Sequence, residues 1–466
     1  MSTRQDSALS AAIASRDDLV RWIAKGEKPT DRWRIGTEHE KFLFDRKSLG
    51  TVPYGGEHGV LALMNGLIGR YGWEPIKEGE TTIALKRPDG QPGGTVSLEP
   101  GGQFELSGDP LTTMHEVGQE TQQHLDQVRA VGEDLGIGLL GMGFAPTWTR
   151  AEVPTMPKRR YAVMSNYMPK VGSLGLDMMF RTCTIQVNLD FKSEADMVQK
   201  LRVGLALQPV ATALFAASPF TEGKPNGLKS MRGEVWRDTD KNRTGNLPFA
   251  FESGMGYDRY VDYALDVPMY FIYRDGHYID VAGASFRDFM AGTLATRLGR
   301  PELADLTATI DDWSDHLTTL FPDVRLKRFL EMRGADGGLG PQIGALPAFW
   351  VGLLYDQTAL DAAWDLVKGW TAAERDALRN EVPAGALATR FRNGTVRDVA
   401  AAALEIARGG LARRARLNPL GQDETVFLDP IQQVVRTGAT TADEMLARYH
   451  GRWNKSVLPA FAEYAF

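Results

Sequence analysis

Residues 34–42 read RIGTEHEKF, so Glu38 and Glu40 alternate with other side chains. In a β-strand, alternate side chains leave the same face, and this spacing therefore places the two carboxylates side by side. Like charges on one sheet face destabilise it by up to about 1 kcal/mol. A divalent cation removes that repulsion, and Mg²⁺ binds carboxylate oxygens while keeping part of its water shell. On this stretch alone, a solvated strand face whose carboxylates splay apart is the simpler interpretation.

The composition is that of a globular protein with no general affinity for polyanions. The 466 residues are 43% hydrophobic, which is enough for a large core. Lys and Arg total 53 against 59 Asp and Glu, giving a formal net charge of −6. This balance excludes a general attraction to nucleic acid or anionic membranes. Any affinity for anions must come from local clusters of basic residues.

The sequence lacks the marks of a membrane or secreted protein. It has no run of about 18 apolar residues, and the first residues lack the apolar core and cleavage pattern of a secretory signal. Cys183 is the single cysteine, which excludes an intrachain disulfide and a multi-cysteine metal site. We therefore expect a cytosolic protein.

Hydrophobic periodicity predicts an α+β chain forming a single catalytic domain over residues 1–466. We expect an N-terminal helix within 1–30, a sheet-bearing active-site region over 31–344 and a mostly helical region over 345–466. The basic stretch 150–180, rich in Pro and Gly, is predicted to be a loop. The N-terminal helix is predicted over 7–24, further helices over 58–70, 110–134 and 194–217, and strands over 81–86, 95–98, 137–144, 182–191, 267–273 and 278–281.

Residues 136–141, GIGLLG, match the dinucleotide-binding fingerprint literally. That fingerprint requires a strand before it and a helix after it. Here a helix precedes the glycines and a strand follows them. Gly136 is therefore predicted to end a helix as its C′ residue.

Four strand-like segments present polar faces that can share one concave surface of an antiparallel sheet. They carry Glu38 and Glu40, Gln103 and Glu105 beside Glu99, Gln186 and Asn188, and Glu331. Basic loops at 150–180 and 219–246 flank these segments. Acids that hold a metal and bases that hold phosphate or carboxylate suit a polyphosphate chelated to Mg²⁺. A polar face open to solvent is the alternative.

Several long motifs resemble those of the glutamate–cysteine ligases of plants and some proteobacteria. They are RIGTEHEKF (34–42), EPGGQFELSG (99–108), PTMPKRRY (154–161), NYMPKVGSLGLDMMFRTCTIQVNLDF (166–191), SPFTEGKPNG (218–227), DYALDVPMYF (262–271) and EMRGADGG (331–338). The resemblance implies ATP-dependent joining of the glutamate γ-carboxylate to the amine of cysteine through an acyl phosphate, the first step of glutathione synthesis. It also implies a curved antiparallel sheet forming a funnel of the glutamine-synthetase-like type, with helices outside.

The resemblance further implies a role for individual residues, with Mg²⁺ as cofactor and ATP as co-substrate. The implied metal-site residues are Glu38, Glu40, Glu99, Glu105, Gln186 and Glu331. Arg160 and Arg232 would grip the glutamate carboxylate, because Arg offers a bidentate fork. Arg333, counted with Glu38 as catalytic, would neutralise the transferring phosphoryl group. Tyr270 is the remaining candidate for the substrate pocket.

The cysteine pairs that act as redox switches in the plant enzymes are not matched here. Val281 and Thr296 occupy the region of one such pair. Cys183 shares a period of two with the apolar residues that follow it, so we expect its thiol to be buried. We therefore expect a monomer or a homodimer without a disulfide.

Three other functions are compatible with parts of this pattern. A related carboxylate–amine ligase with another amine acceptor would share every metal and ATP residue. A metal-dependent hydrolase would use the acids to activate water and would not require ATP. A binding protein without catalytic activity would not need the full set of acids.

Overall fold

A computed structural model describes residues 11–466. Its strands, in chain order, are β1 (Ile35–Asp45), β2 (Glu74–Glu78), β3 (Thr81–Lys86), β4 (Thr95–Leu98), β5 (Phe104–Ser107), β6 (Ile137–Leu140), β7 (Thr184–Leu189), β8 (Phe220–Thr221), β9 (Lys224–Pro225), β10 (Thr244–Gly245), β11 (Phe271–Arg274), β12 (His277–Asp280), β13 (Phe321–Pro322), β14 (Val324–Leu326), β15 (Leu330–Asp336), β16 (Arg390–Phe391) and β17 (Gly394–Thr395).

The α-helices in the same range pack around the strands. They are α1 (Arg16–Ala24), α2 (Val60–Tyr71), α3 (Met114–Leu135), α4 (Arg159–Tyr167), α5 (Gly175–Arg181), α6 (Glu194–Leu214), α7 (Met231–Val235), α8 (Tyr257–Asp266), α9 (Phe286–Met290), α10 (Leu294–Leu298), α11 (Ile310–Thr318), α12 (Gly340–Leu354), α13 (Gln357–Val367), α14 (Ala372–Gly385), α15 (Val396–Arg414), α16 (Asp429–Thr437), α17 (Thr441–His450) and α18 (Ala460–Glu463).

One antiparallel sheet organises the described part of the chain, in the strand order β14-β15-β7-β1-β5-β4-β3-β2. Strand β6 pairs with the second half of β1. Strand β1 is therefore central, with β7 on one side and β5 on the other. The other strands form two-stranded pairs outside this sheet. The chain is thus a mixture of helices and antiparallel sheet, as the sequence predicted.

The two faces of β1 differ as its alternation predicts. Thr37, His39 and Lys41 are buried on one face, whereas Glu38 and Glu40 lie half-buried on the other. The second half of the strand is a buried apolar run, because β6 and its surroundings cover it there. The polar end of β1 therefore faces a site, and the apolar end anchors the strand in a core.

Helices α6 and α12 cover the face of the sheet opposite the carboxylates. Ile185, Val187 and Leu189 of β7 belong to the same buried cluster as these two helices. Helix α6 is buried along nearly its whole length, including Pro209 in its interior. Packing of this density fixes the strands against which it rests. The polar face of β7 is thereby directed away from the core.

The prediction of a loop over 150–180 is wrong, because α4 and α5 lie there. Helix α4 begins after Pro157 and buries Arg160, Tyr161 and Met164 on one face. Its basic and aromatic composition hid a helical period, and the prolines bounding it suggested a loop. The predicted 7–24 helix begins only at Arg16, and residues 7–10 lie outside the described residues.

Most other element predictions agree with the structure. Gly136 has φ of 68° and ends α3, so it is a helix-terminating glycine as predicted. The predicted strands at 267–273 and 278–281 form the β11–β12 hairpin, although β11 begins only at Phe271. The turn of the hairpin holds Asp275 and Gly276 at positive φ. The predicted 137–144 strand is shorter and ends at Leu140. Within residues 11–466, every helix is too short or too polar to cross a membrane.

Cys183 is completely buried just before β7. Burial, together with the negative charge of Glu40, raises the pKa of its thiol well above the ordinary value. Since the thiolate is the reactive form, the environment suppresses both alkylation and oxidation. The predicted burial is confirmed.

We expect Cys183 to resist a thiol reagent in the native protein and to react quickly after denaturation. The denatured sample is the control, because it has the same single thiol without its packing. Stoichiometric labelling can be followed by mass spectrometry, and a non-reducing gel should show no disulfide-linked dimer. Rapid labelling of the native protein would contradict the assigned strand face.

Candidate active site

A cavity of about 600 Å³ lies over the polar face of the sheet. Four carboxylates line it, two from β1 and two from the β4–β5 hairpin: Glu38, Glu40, Glu99 and Glu105. Gln186 of β7 and the side chains of Arg232, Arg325 and Arg333 line it as well. The structure thus brings together most of the residues that the sequence predicted for the site.

The register of the sheet fixes which polar groups face each other. Glu38 lies opposite Gln186 on β7, and Glu40 lies opposite Glu105 on β5. Directly opposed residues hold their Cβ atoms about 5 Å apart, so these contacts follow from strand pairing alone. Asn188 donates a hydrogen bond to Glu38 at 2.9 Å, which orients that carboxylate.

Three of the acids repel one another. Burial and the charges of Glu99 and Glu105 raise the pKa of Glu40 well above its ordinary value. Burial and the charge of Glu105 raise the pKa of Glu99 to about 7. A backbone N–H of Thr184 donates to Glu40 at 2.9 Å, but this single bond does not offset the repulsion. Although burial opposes it, the Ser97 hydroxyl and the charge of Lys158 lower the pKa of Glu105. Glu40 and Glu99 are therefore the members of the cluster that favour the protonated form.

Glu331 does not line the cavity and differs from the other predicted metal-site residues. It is fully buried, and its carboxylate accepts three hydrogen bonds from the Arg325 guanidinium at 2.7–3.0 Å. Lys327 lies 3.2 Å from it, and Arg333 also pairs with it. Although burial opposes ionisation, these cations hold the pKa of Glu331 well below its usual range. Its oxygens are occupied by arginine and lysine.

Arg333 reaches the cavity from β15. Its Nη1 donates to the Gln186 amide oxygen at 2.8 Å and also pairs with Glu331. The guanidinium lies 5.5–5.7 Å from the rings of Phe321 and Trp236. These contacts fix the direction of the side chain while leaving one edge toward the acids.

Arg232 comes from α7 and is buried. Its Nη2 donates to the backbone oxygen of Arg333 at 2.7 Å, and its Nε lacks a hydrogen-bond partner in the described part of the chain. The Arg333 carbonyl is free to accept because a β-bulge between Met332 and Ala335 interrupts the ladder. Burial lowers the pKa of Arg232 to about 10. This cation is therefore suited to an anionic ligand.

The wall formed by Arg232, Arg333, Trp236 and Phe321 also lines a second cavity of about 500 Å³. On its far side, Arg379 pairs with Asp323 at 3.1 Å. The two arginines therefore stand between two adjoining compartments. Such an arrangement can contact two substrates at once.

Arg160 lies buried behind Glu99 and does not line the cavity, and its Nε has no hydrogen-bond partner among residues 11–466. Lys158 is a functional candidate that the sequence left in a generic basic loop. It is buried, and its Nζ likewise has no hydrogen-bond partner in that range. Burial and the charge of Arg160 lower the pKa of Lys158 to about 8. In the motif PTMPKRRY, the spacing of Lys158 and Arg160 by two residues could have indicated that both belong to the site.

The structure places Tyr270 elsewhere than predicted. It is fully buried and lines neither cavity, and its ring lies 3.8 Å from the Arg243 guanidinium. Its hydroxyl contacts the Met168 sulfur at 3.6 Å. The prediction of a role in the substrate pocket is therefore not supported by its position. An aromatic residue in such a motif can belong to the hydrophobic core as readily as to a substrate pocket.

The buried face of β1 carries a polar cluster that the sequence did not reveal. Lys41 lies 2.8 Å from a ring nitrogen of His124, and the His39 ring lies against the same histidine at 5.5 Å. All three side chains are buried. Burial lowers the pKa of Lys41 to about 7, even though the charges of Glu105 and Glu40 raise it. A basic group therefore sits directly behind the acidic wall.

The donor set of the cavity fits Mg²⁺ in its chemistry. Carboxylate and amide oxygens are the ligands that this ion prefers, and a cation beside Glu40 and Glu99 would favour their ionised forms, which burial and neighbouring carboxylates disfavour. Among residues 11–466, however, no three acidic, histidine or cysteine side chains are arranged to hold a metal by themselves. Mg²⁺ usually keeps waters and binds one or two carboxylates together with substrate phosphates, which agrees with this geometry.

Comparison with known proteins shows many similar sequences in plants. The chain is 55% identical over 459 residues to the chloroplastic glutamate–cysteine ligase of Nicotiana tabacum, covering 98% of this chain and 84% of that protein. The Arabidopsis thaliana enzyme is 54% identical with the same coverage. The Oryza sativa chloroplastic enzyme B is 53% identical over 449 residues, covering 96% of this chain and 87% of that protein.

A solved structure supports the fold. The glutamate–cysteine ligase of Francisella tularensis in complex with AMP superposes with a TM-score of 0.53 at 13% identity, covering 93% of this chain and 88% of that one. At this identity the likeness shows the fold alone.

The cytosolic location expected from cysteine content is wrong, because the plant relatives are named as chloroplastic. A single reduced cysteine indicates a reducing compartment and does not distinguish one such compartment from another. The protein family follows from a family sequence model that matches almost the whole chain. The model of glutamate-cysteine ligase family 2 matches residues 34–461, and the chain belongs to that family.

Proposed function

We propose that this chain joins the γ-carboxylate of glutamate to the amine of cysteine at the expense of ATP. The observation that carries the proposal is a single cavity with an acidic wall, Glu38, Glu40, Glu99 and Glu105, facing Arg232 and Arg333. Reactions through an acyl phosphate need positioning and charge neutralisation more than a covalent nucleophile. The plant relatives are named glutamate–cysteine ligases.

The acids and Gln186 are proposed to hold Mg²⁺ together with the phosphates of ATP. When bound, the cation neutralises charge on the phosphates and relieves the repulsion among Glu40, Glu99 and Glu105. Glu331 has a different role in this proposal. Because its oxygens are taken up by Arg325, Lys327 and Arg333, it positions the arginines instead of contacting the metal directly.

The basic residues are proposed to divide between the two anionic substrates. Arg232, without an acidic partner at ion-pair distance in the described chain, binds the glutamate carboxylate, and Arg160 with Lys158 adds positive charge behind Glu99. Arg333, fixed by Gln186 and Glu331, neutralises the transferring phosphoryl group. In this arrangement the γ-carboxylate attacks the terminal phosphorus of ATP and ADP leaves, giving an acyl phosphate. The amine of cysteine then attacks the acyl carbon, the amide forms with loss of a proton from the nitrogen, and phosphate leaves.

We further propose that the sheet curves into a funnel of the glutamine-synthetase type. The chain then acts as one catalytic unit, as a monomer or a homodimer without a disulfide. The antiparallel strand order supports the funnel, and the burial of Cys183, the single cysteine, supports a state without an intersubunit disulfide.

Phosphate release from MgATP tests the function. We expect release to require glutamate and to rise with cysteine, together with formation of γ-glutamylcysteine. Glutamate-dependent release that another amine stimulates better would favour a related ligase. Hydrolytic activity without ATP would favour a metal-dependent hydrolase and would contradict the proposal.

Replacing Glu38 by Gln keeps the size of the side chain and removes one charge from the acidic wall. We expect kcat to fall by at least about a hundredfold, since lost transition-state electrostatics has effects of this size. Steady-state kinetics at saturating Mg²⁺ measures the change. Glu133→Gln, on the exposed side of α3, is the matched control and should retain normal turnover. Near-normal turnover of Glu38→Gln would exclude the proposed role.

Replacing Arg232 by Lys keeps the charge but loses the planar fork. We expect the KM for glutamate to rise about tenfold or more, because a charged hydrogen bond contributes about 1.5–3 kcal/mol. The KM for ATP should change little. Arg237→Lys, a partly exposed neighbour paired with Glu234, is the control. Equal effects on both substrates would move Arg232 to the phosphate side.

The raised pKa of Glu99 predicts a pH dependence of stability. Its pKa of about 7 in the fold exceeds the ordinary value of 4.5, so the folded protein holds the extra proton. The resulting stabilisation is complete below the ordinary value and is lost as the pH rises through about 7. In the presence of a chelator, we therefore expect the Tm of the wild type relative to Glu99→Gln to fall across this range.

Saturating Mg²⁺ should remove most of that fall, because the cation takes the place of the proton. Thermal unfolding at a series of pH values, with chelator or with Mg²⁺, measures both effects. If the Tm of the wild type relative to Glu99→Gln rose with pH, the raised pKa of Glu99 would be contradicted. If Mg²⁺ left the pH dependence of this Tm difference unchanged, the proposal that the acidic wall binds the cation would be contradicted.

A further inference from the structure

Asp336 ends strand β15 as a buried carboxylate bound by two separate segments of the chain. One oxygen accepts from the backbone N–H of Ala217 at 2.8 Å and from the Ser218 hydroxyl at 2.6 Å. The other oxygen accepts from the Ser230 hydroxyl at 2.7 Å. Both serines are completely buried. A carboxylate suits this place because it offers only acceptors to three donors.

The two serines lead directly to the helix that carries Arg232. Ser230 is the N-cap of α7, and its hydroxyl accepts from the backbone N–H of Gly233 at 2.9 Å. The Ser218 hydroxyl accepts from the backbone N–H of Arg232 itself at 3.3 Å. The start of this short helix is therefore tied to Asp336 through two hydroxyl groups.

Strand β15 contacts Arg232 at a second point. The Arg232 guanidinium donates to the backbone oxygen of Arg333, three residues before Asp336 on the same strand. The end of β15 thus fixes both the backbone of Arg232, through the serines, and its guanidinium, through the Arg333 carbonyl. Asp336, Ser218, Ser230 and Arg232 are all buried, so water does not readily replace a hydrogen bond that one of these side chains loses.

We propose that Asp336, acting through Ser218 and Ser230, is the positioning residue that fixes Arg232 for glutamate. The inference rests on the proposed role of Arg232 and adds a residue that does not line the cavity. Gly143 supports it, because a Cβ at that position would lie within 2.6 Å of the Asp336 side chain. The chain therefore leaves space for the carboxylate where a side chain would displace it.

Asp336→Asn keeps the shape but presents an amide donor to groups that are themselves donors. We expect kcat/KM for glutamate to fall about tenfold to a hundredfold, since a displacement of about 1 Å can have effects of this size. The KM for ATP should stay within about twofold. Asp312→Asn is the control, because it removes a buried carboxylate that caps α11 and pairs with Arg274. It should lower the Tm without changing the KM for glutamate.

A double variant separates positioning from general destabilisation. If Asp336 acts through Arg232, adding Asp336→Asn to Arg232→Ala should cause no further loss in kcat/KM for glutamate. An additive loss, or equal losses for glutamate and ATP, would overturn the proposal. So would a folded Asp336→Asn enzyme with the native KM for glutamate.

Two further outcomes are distinguishable. If Arg232→Ala leaves the KM for glutamate unchanged, the proposed role of Arg232 and this inference both fail. If that KM rises while the Asp336 variant behaves as the wild type, only the network fails. Should Asp336→Asn not fold, Ser218→Ala and Ser230→Ala each remove one link, and each should shift the KM for glutamate in the same direction.

Discussion

Repulsion among carboxylates on one face of the sheet is the constraint on which the rest of this structure depends. Strand pairing places Glu40 opposite Glu105, and the β4–β5 turn adds Glu99 to the same wall. Burial first, and repulsion within this cluster second, raise the pKa values of Glu40 and Glu99. The fold must therefore hold these groups together by packing elsewhere. A site that stores this repulsion is prepared to bind a cation.

The packing that opposes the repulsion lies behind and beside the sheet. Helices α6 and α12 press on the apolar face of β7, and the second half of β1 is anchored in a core through β6. The bulge in β15 frees the Arg333 carbonyl for Arg232, and Glu331 holds Arg333. Acids and arginines thereby line one cavity, which suits charge neutralisation of a phosphorylated intermediate.

The sequence alone predicted those site residues whose side-chain direction follows from strand alternation, and those that lie in a basic motif. The period of two in β1 and β7 predicted that Glu38, Glu40 and Gln186 share a face, because side-chain direction in a strand follows directly from position. Helix α4 was missed because Arg160 faces inward, against the usual pattern of a surface helix. Motif membership alone favoured Tyr270, and the tertiary packing places it in the core.

The remaining features depend on long-range contacts that no local pattern encodes. Glu331 resembles the other acids in sequence, yet three cations from β14, β15 and their connection surround it. Asp336 became interpretable only when loops more than a hundred residues away were seen to bind it. The Lys158 amine, which has no hydrogen-bond partner among residues 11–466, likewise owes this environment to burial and not to sequence spacing. The sequence predicted which charged residues belong to the site, but it did not predict which of them form ion pairs with each other.

The central claim is that the acids and arginines promote attack of a glutamate carboxylate on ATP. Transfer of ¹⁸O from glutamate labelled in its γ-carboxylate tests it most directly. The account predicts that each phosphate released during turnover with cysteine carries one labelled oxygen, because the carboxylate oxygen bonds to phosphorus and leaves with it. Phosphate that instead takes its new oxygen from water would contradict the account.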